Sequence, residues 1–239
     1  MIRFDQVTHQ FPNKITALEE VDLQINPAEL VFIVGKSGSG KTTFLRLLLR
    51  ELIPSKGSIF FQDNNIADLK EDQIPQHRRR IGAVFQDFKL LKDRTLAENV
   101  SLALQIQDKK EEEIENAVNE ALNLVDLIER VEMFPSQLSG GELQRAVIAR
   151  AMVSNPDVLF ADEPTGNLDP ETSWQIMELL KQIHKAGKTV IMATHNAGLV
   201  NALKERVIRL DKGKVVSDEE KGSYQKEKKQ KNKKPAERQ

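Results

Sequence analysis

The stretch Gly35-Lys36-Ser37-Gly38-Ser39-Gly40-Lys41-Thr42 decides the fold of this chain. It follows a short apolar run at residues 31–34, which predicts a buried strand, and it opens a predicted helix. Glycines at this spacing let backbone N–H groups turn inward around phosphate oxygens, and the helix N-terminus adds favourable partial charge. The sequence therefore predicts a loop that binds the phosphates of a nucleoside triphosphate. Its candidate nucleotide-binding residues are Gly35, Lys36, Ser37, Gly38, Ser39, Gly40, Lys41, Thr42 and Thr43.

Side chains in this loop and after a second apolar run have predicted chemical roles. Lys41 is expected to contact the β- and γ-phosphates, and the Thr42 hydroxyl is expected to bind Mg²⁺. The run at residues 158–161 ends in Asp162 and Glu163. With a phosphate loop upstream, Asp162 is predicted to hold Mg²⁺. Glu163 is predicted to accept a proton from the water that attacks the γ-phosphate, or to orient that water.

The apolar runs also predict the fold class. A third run at residues 190–193 precedes His195, and helical patterns alternate with all three runs. This alternation predicts an α/β fold with its ligand chemistry at the C-terminal ends of the strands. Because His195, Lys41 and Glu163 all follow C-terminal strand ends, we expect them at one edge of the sheet, with His195 within reach of the γ-phosphate.

Flanking segments predict two additions to this sheet. Residues 2–34 alternate more weakly between apolar and polar side chains and predict an antiparallel β lobe. Residues 87–137 contain a 3.6-residue apolar period and predict a mostly helical insertion, whose subdomain extends over about 87–155. A further helix is expected at residues 171–185, with Gly187 as its stop.

A second anion-binding element is predicted at Ser139-Gly140-Gly141. The helix that follows carries apolar residues on one face, so backbone N–H groups and the Ser139 hydroxyl are presented at its N-terminus. This element lies about a hundred residues after the phosphate loop, beyond the helical insertion, and is expected to face outward.

Composition excludes several classes of function. The chain of 239 residues has 35 Lys and Arg against 36 Asp and Glu, which gives no general nucleic-acid or membrane signal. It has no cysteine, so disulfides and thiolate metal sites are excluded. The N-terminus lacks the apolar run of a signal peptide, and the longest apolar stretches fall far short of the roughly 20 residues that span a bilayer. We therefore expect an intracellular protein that reaches a membrane through a partner, and a disordered, Lys-rich tail at residues 217–239.

Taken together, residues 1–215 resemble the ATP-binding-cassette (ABC) ATPases, a family of P-loop NTPases, and predict one such domain over residues 1–216. Leu138–Gln144 is similar to the signature of that family, which completes the nucleotide site of a second copy. The resemblance therefore implies ATP as ligand and an ATP-dependent homodimer. It also implies roles for Gln86 as the Q-loop glutamine, a catalytic residue that binds the metal, for Phe11 as a base-stacking aromatic, and for Asp169 in the D-loop. His195 corresponds to the switch histidine.

Narrower features favour one group within the family. Residues 161–169, with Glu142 in the signature, resemble the group that serves lipoprotein release, MacB-type export and cell division. Residues 79–95 are most similar to the cell-division members, the FtsE family. That resemblance implies a transmembrane partner of the FtsX type, control of septal peptidoglycan hydrolysis, and a location on the inner face of the bacterial membrane.

Other classes of ATPase share parts of this motif set. The ATPase of a lipoprotein-releasing or MacB-type exporter shares every catalytic motif and stays open as the alternative. DNA-repair cassettes need a very long coiled-coil insertion before the signature, and translation-factor cassettes need two tandem copies, so both are excluded. An ATP-binding module with negligible turnover is disfavoured by the presence of Glu163 and His195.

Overall fold

The computed structural model describes residues 1–107 and 109–224. Ten strands and seven α-helices alternate along this part of the chain. The strands are β1 (Ile2–Gln10), β2 (Thr16–Ile25), β3 (Leu30–Val34), β4 (Lys56–Phe61), β5 (Asn64–Asn65), β6 (Ile81–Val84), β7 (Val158–Asp162), β8 (Thr189–Thr194), β9 (Arg206–Asp211) and β10 (Lys214–Glu219). The helices are α1 (Lys41–Leu48), α2 (Ile74–Arg79), α3 (Leu96–Gln105), α4 (Glu111–Leu124), α5 (Gly140–Met152), α6 (Pro170–Lys185) and α7 (Ala197–Leu203).

The larger sheet positions the candidate site. Its six strands follow the order β10-β9-β3-β8-β7-β6 and are parallel, except that β10 runs antiparallel to β9. All residues of β3, β7 and β8 are buried, as their uninterrupted apolar sequences predict. In register, Val34 pairs with Thr194, and Asp162 pairs with Ala193. The loops that follow these three strands therefore leave the sheet along one edge.

The smaller sheet is the predicted antiparallel lobe. It has four strands in the order β2-β1-β4-β5. The predicted bounds of this lobe, residues 2–34, need correction, because β3 pairs with β8 and β9 in the larger sheet. The lobe is instead completed by β4 and β5, which follow α1 in the chain. Strand pairing over long sequence distances decides this exchange, and local alternation carries no information about it.

Two hydrophobic clusters cover the two faces of the larger sheet. Successive side chains of β3 point to opposite faces of the sheet, so Val31 and Ile33 belong to one cluster and Phe32 and Val34 to the other. The first cluster joins α1 to the antiparallel lobe, where the rings of Phe4 and Phe44 stack with centroids 4.2 Å apart. The second joins the sheet to α3, α4, α5, α6 and α7. The helices α1 and α5 therefore pack on opposite faces of the sheet.

The segment between β6 and β7 is helical, as its periodicity predicts. It holds α3, α4 and α5, and α4 buries Val118, Ala121 and Leu122 on one face. The predicted helix at residues 171–185 is α6, and Gly187 follows it with a φ of 91°. Positive φ is accessible to glycine at little cost, which suits its place just beyond a helix end. Across residues 1–107 and 109–224, no helix is both long and apolar enough to span a bilayer.

The C-terminal boundary of the fold lies beyond the predicted one. The sequence places the start of a disordered tail at residue 217, but β10 continues to Glu219. The chain then returns to α7, where Tyr224 is only 6% exposed. The side chain of Asn201 on α7 forms two hydrogen bonds with the backbone of Tyr224. Its Oδ1 accepts the Tyr224 N–H at 2.6 Å, and its Nδ2 donates to the Tyr224 carbonyl at 3.2 Å. The low apolar content of β10 is that of an exposed edge strand, and the remaining residues of the predicted tail, 225–239, lie outside the described residues.

Candidate active site

The loop between β3 and α1 wraps around its own lysine. Gly40 has a φ of 111°, and a Cβ there would lie 2.6 Å from Cδ2 of Leu18, so only glycine fits. The Lys41 side chain is buried, and its ammonium donates to the carbonyls of Gly35 at 2.9 Å and Lys36 at 3.2 Å. The loop thus fixes one positive charge at the start of α1.

The start of α1 is open to an anionic ligand. No side chain caps this helix, and its first turn contains no acidic residue. The hydroxyl of Ser39 is buried and has no hydrogen-bond partner. Backbone N–H groups, the Lys41 ammonium and the Ser39 hydroxyl are the donor groups that phosphate oxygens require. The predicted phosphate site therefore presents the donor groups that phosphate binding requires.

Asp162 and Thr42 meet although 120 residues separate them in sequence. The Thr42 hydroxyl donates to Oδ2 of Asp162 at 2.7 Å. Burial raises the pKa of Asp162, and the hydrogen bond from Thr42 opposes that shift. A hydroxyl and a carboxylate are hard oxygen ligands of the kind that Mg²⁺ prefers. A cation there would favour the charged carboxylate, so these residues fit the predicted metal.

Glu163 is held between Lys41 and His195. Its Oε1 lies 3.8 Å from the Lys41 ammonium and 2.7 Å from Nδ1 of His195. Its backbone has a φ of 51°, in the left-handed region, where non-glycine residues carry strain. The Glu163 N–H donates to the carbonyl of Ala193 at 2.8 Å, which fixes this conformation. The side chain is 11% exposed, while that of His195 is 57% exposed.

Thr194 is a contact that the sequence pattern did not single out. It is buried at the end of β8, and its hydroxyl donates to Oε2 of Glu163 at 3.4 Å. The hydroxyl oxygen of Thr194 also accepts the backbone N–H of Asn196 at 3.1 Å. A polar residue that ends an apolar strand directly before a candidate histidine is the signal that identifies it.

Gln86 and Phe11 lie at the margins of this cluster. Gln86 follows β6, and a Cβ built on Gly166 would lie 3.8 Å from its Nε2. The glutamine thus lies next to the turn that follows Glu163. Phe11 is half-buried in the loop between β1 and β2, with its ring edge-on to His9 at 4.9 Å. Its loop leads into the start of β2, where Ala17 and Leu18 lie against Gly40.

The other predicted residues form a second cluster at the N-termini of α5 and α6. Ser139 caps α5, and Asp169 caps α6 by accepting the N–H of Thr172 at 2.9 Å. A Cβ on Gly140 would lie 3.6 Å from Leu168, and one on Gly141 would lie 2.6 Å from Thr172, so the two helix ends pack closely. Because α1 and α5 pack on opposite faces of the sheet, the two helix ends that the sequence predicts to bind anions are separate within the chain.

The sequence profile of the ABC transporter family matches residues 18–166, which extend from β2 through Glu163. This is more than half of the chain. The chain belongs to the ABC transporter family. Its fold of a P-loop sheet, an antiparallel lobe and a helical subdomain is that of an ABC nucleotide-binding domain, and it is an ATPase of this type.

Two relatives show which group of the ABC transporter family this chain is most similar to among those compared. The cell division ATP-binding protein FtsE of Bacillus subtilis (strain 168) is 49% identical over 94% of this chain and 98% of its own length. The protein of the same name from Escherichia coli (strain K12) is 43% identical over 89% of this chain and 96% of its own. These relatives place the chain among the ABC ATPases of bacterial cell division.

A solved structure agrees with the fold. The ATP-binding cassette MJ0796, in a dimeric post-hydrolysis state bound to ADP and Pi, superposes with a TM-score of 0.83 at 36% identity. The match covers 94% of this chain and all of that one.

Proposed function

We propose that this chain is the ATP-hydrolysing subunit of an FtsEX-type membrane complex, in which ATP-driven dimerisation and hydrolysis act through a transmembrane partner of the FtsX type to regulate septal peptidoglycan hydrolysis. The observation that carries the proposal is the contact of Glu163 with both Lys41 and His195. It joins a phosphate-binding cation to a carboxylate and to a hydrogen-bonded histidine at one edge of the sheet.

The residues of this edge divide the chemistry of hydrolysis among them. Lys41 binds the β- and γ-phosphates and neutralises charge on them. Glu163 accepts the proton of the attacking water, because its carboxylate is buried beside that phosphate site. The hydrogen bond from His195 fixes one carboxylate oxygen, and the Thr194 hydroxyl fixes the other. The carboxylate is thereby held in one orientation before ATP binds.

Mg²⁺ belongs to the same proposal. Thr42 and Asp162 would hold it, with Gln86 at the margin of the site. The ion supplies neutralisation of charge on the β- and γ-phosphates. The direct Thr42–Asp162 hydrogen bond keeps both oxygen ligands together without an ion.

The second cluster supports a dimer. In this proposal, Ser139, Gly140 and Gly141 of one copy contact the γ-phosphate held by Lys41 of another, and Asp169 lies at the same interface. The placement of α1 and α5 on opposite faces of the sheet supports two half-sites per chain. The dimeric state of the related cassette MJ0796 is further support.

A groove beside α2 and α3 supports a protein partner. It forms a cavity of about 490 Å³. At its margin Ile106 is 71% exposed, and the Nε of Arg79 is buried without a hydrogen-bond partner. An exposed apolar side chain beside an unpaired buried donor fits a docked segment that brings one apolar residue and one carbonyl or carboxylate. We assign this groove to a cytoplasmic segment of the FtsX-type partner, which would hold the chain on the inner face of the membrane.

Co-purification from the source bacterium tests the proposal. The tagged full chain should recover an FtsX-type membrane protein, and Ile106→Glu should lose that protein while retaining ATPase activity. Ile53→Glu is the matched control, because Ile53 is 52% exposed but lies in the connection between α1 and β4 and does not line the groove. Recovery of a lipoprotein-release permease in place of the FtsX-type protein would overturn the cell-division assignment. Equal recovery of the FtsX-type protein by Ile106→Glu and Ile53→Glu would overturn the assignment of the groove to this partner.

A further inference from the structure

The signature serine of this chain is engaged with its own helix. The Ser139 hydroxyl donates to Oε2 of Glu142 at 2.7 Å and accepts the N–H of Glu142 at 3.3 Å. The Ser139 N–H donates to the same carboxylate oxygen at 2.8 Å. The pKa of Glu142 is lowered, chiefly by the backbone hydrogen bond from Ser139, so the carboxylate is charged. Its second oxygen, Oε1, lies 3.4 Å from Nε of Arg130.

These contacts conflict with phosphate binding. The Ser139 hydroxyl has one proton, and that proton is donated to Glu142. To donate to a phosphate oxygen, Ser139 must give up a bond to a charged acceptor, which is stronger than a bond to a neutral one. The Glu142 carboxylate also places a negative charge beside an incoming anion and ties up the Arg130 cation.

We propose that Glu142 is a positioning residue that holds the signature hydroxyl in a closed state and thereby weakens the ATP-dependent dimer. The inference rests on the proposed function, because it assumes that Ser139 contacts the partner copy's phosphate. Its consequence is a dimer that separates readily, as a subunit that cycles on a membrane partner requires.

The isosteric variant Glu142→Gln separates this role from helix capping. A glutamine at this position accepts the Ser139 N–H as a glutamate does, so the capping box remains. The charge is lost, the bond from the serine hydroxyl weakens, and Arg130 is released. Each change favours phosphate binding, whereas loss of a merely structural contact would weaken the dimer. The proposed role therefore predicts a lower dimer dissociation constant for Glu142→Gln, and a merely structural role predicts a higher one.

The chain contains a matched control in α3. Thr95 and Glu98 form the same capping box, with the Thr95 N–H donating to Glu98 at 2.7 Å and Glu98 N–H donating to Thr95 at 3.2 Å. Arg94 pairs with Glu98 at 2.9 Å, as Arg130 pairs with Glu142. The variant Glu98→Gln therefore removes an equivalent charge from a capping box that lies outside both groups of candidate site residues, the one around Glu163 and the one at the N-termini of α5 and α6.

The test is sedimentation of the full chain over a range of protein concentrations with saturating ATP and Mg²⁺. Every sample carries Glu163→Gln, so that ATP persists. The gain from removing one charge-assisted bond is about fivefold, and a two-fold symmetric dimer contains two such sites. Glu142→Gln should therefore lower the dimer dissociation constant about 25-fold and leave ATP binding by the monomer unchanged. Glu98→Gln should change neither quantity.

Ser139→Arg separates failure of this inference from failure of the proposed function. If Ser139→Arg still dimerises with ATP, the proposed contact between the signature and the partner's phosphate is wrong. If Ser139→Arg abolishes the dimer while Glu142→Gln leaves it unchanged or weakens it, the dimer proposal stands and the role of Glu142 is wrong. An equal strengthening by Glu98→Gln would show a general effect of net charge and would also overturn the role of Glu142.

Discussion

Replacement of Glu163 by glutamine should change turnover and ATP affinity in opposite directions. The side chain keeps its shape and loses its negative charge and its capacity as a base. Loss of a general base lowers a rate by about 10²–10⁴-fold, and we expect the steady-state turnover of ATP to fall by that factor. The amide oxygen of glutamine can accept the hydrogen bond from His195, and its NH2 group can donate to the Thr194 hydroxyl, so the second contact is kept with its direction reversed.

The expected gain in affinity comes from Lys41. Its ammonium lies 3.8 Å from Oε1 of Glu163, and both side chains are largely buried. At an effective dielectric constant of about 20, two unit charges at that separation attract by about 4 kcal/mol. Desolvation of both groups offsets most of this attraction, leaving about 1 kcal/mol that competes with phosphate. Removal of the competing charge should tighten ATP binding about fivefold.

Two assays measure the two effects. Phosphate release gives turnover, and a fluorescence titration gives affinity through Trp174, the only tryptophan of the chain. Trp174 lies exposed on α6 and needs no label. Glu178→Gln is the control, since Glu178 is an exposed acid of the same helix that pairs with Lys181. Turnover within threefold of the parent would remove Glu163 from the mechanism, and weaker ATP binding would refute the competition with Lys41.

Two further predictions concern stability. Burial lowers the pKa of His77 from 6.5, so the unfolded chain takes up the proton first, and the free energy of unfolding should decline below about pH 6.5. Urea denaturation at pH 7.5 and 5.5 should show a smaller decline for His77→Gln, and an equal decline would contradict this explanation. A chain ending at residue 216 loses Tyr224 and should be less stable by at least about 3 kcal/mol, whereas one ending at residue 224 should match the full chain. Thermal unfolding compares them, and equal melting temperatures for all three would restore the boundary at residue 217.

Local signals in the sequence were sufficient for much of this structure. The glycine spacing of residues 35–40 predicts the loop because positive φ at Gly38 and Gly40 is a property of single residues. The uninterrupted apolar runs of β3, β7 and β8 predict buried parallel strands for a similar reason. A parallel sheet then brings the residues after those strands together, which accounts for the predicted proximity of Glu163 and His195.

Contacts that depend on pairing between distant segments were not predictable in this way. The exchange of β3 for β4 and β5 in the lobe depends on which strands pair, and the sequence records no partner for a strand. The apolar pattern does not predict the last strands, β9 and β10, because three of the six residues of β9 and four of the six of β10 are polar, and β10 lies at a sheet edge. The engagement of Ser139 by Glu142 is local, yet its consequence appears only when both hydrogen bonds from the serine to one carboxylate are seen.

Capping and charge distinguish the two helix N-termini of this chain that the sequence predicts to bind anions. Among the described helices of eight or more residues, α3, α5 and α6 are capped by their own side chains. The start of α4 is uncapped but carries Glu111, Glu112 and Glu113, which repel an anion. Only α1 combines an uncapped start with a lysine and no acid in its first turn. These differences support our proposal that the phosphate loop binds ATP in a single copy, whereas the start of α5 first releases Ser139 from Glu142. Binding and dimerisation thus become separate steps, with separate free energies that substitutions at Lys41 and Glu142 should change independently.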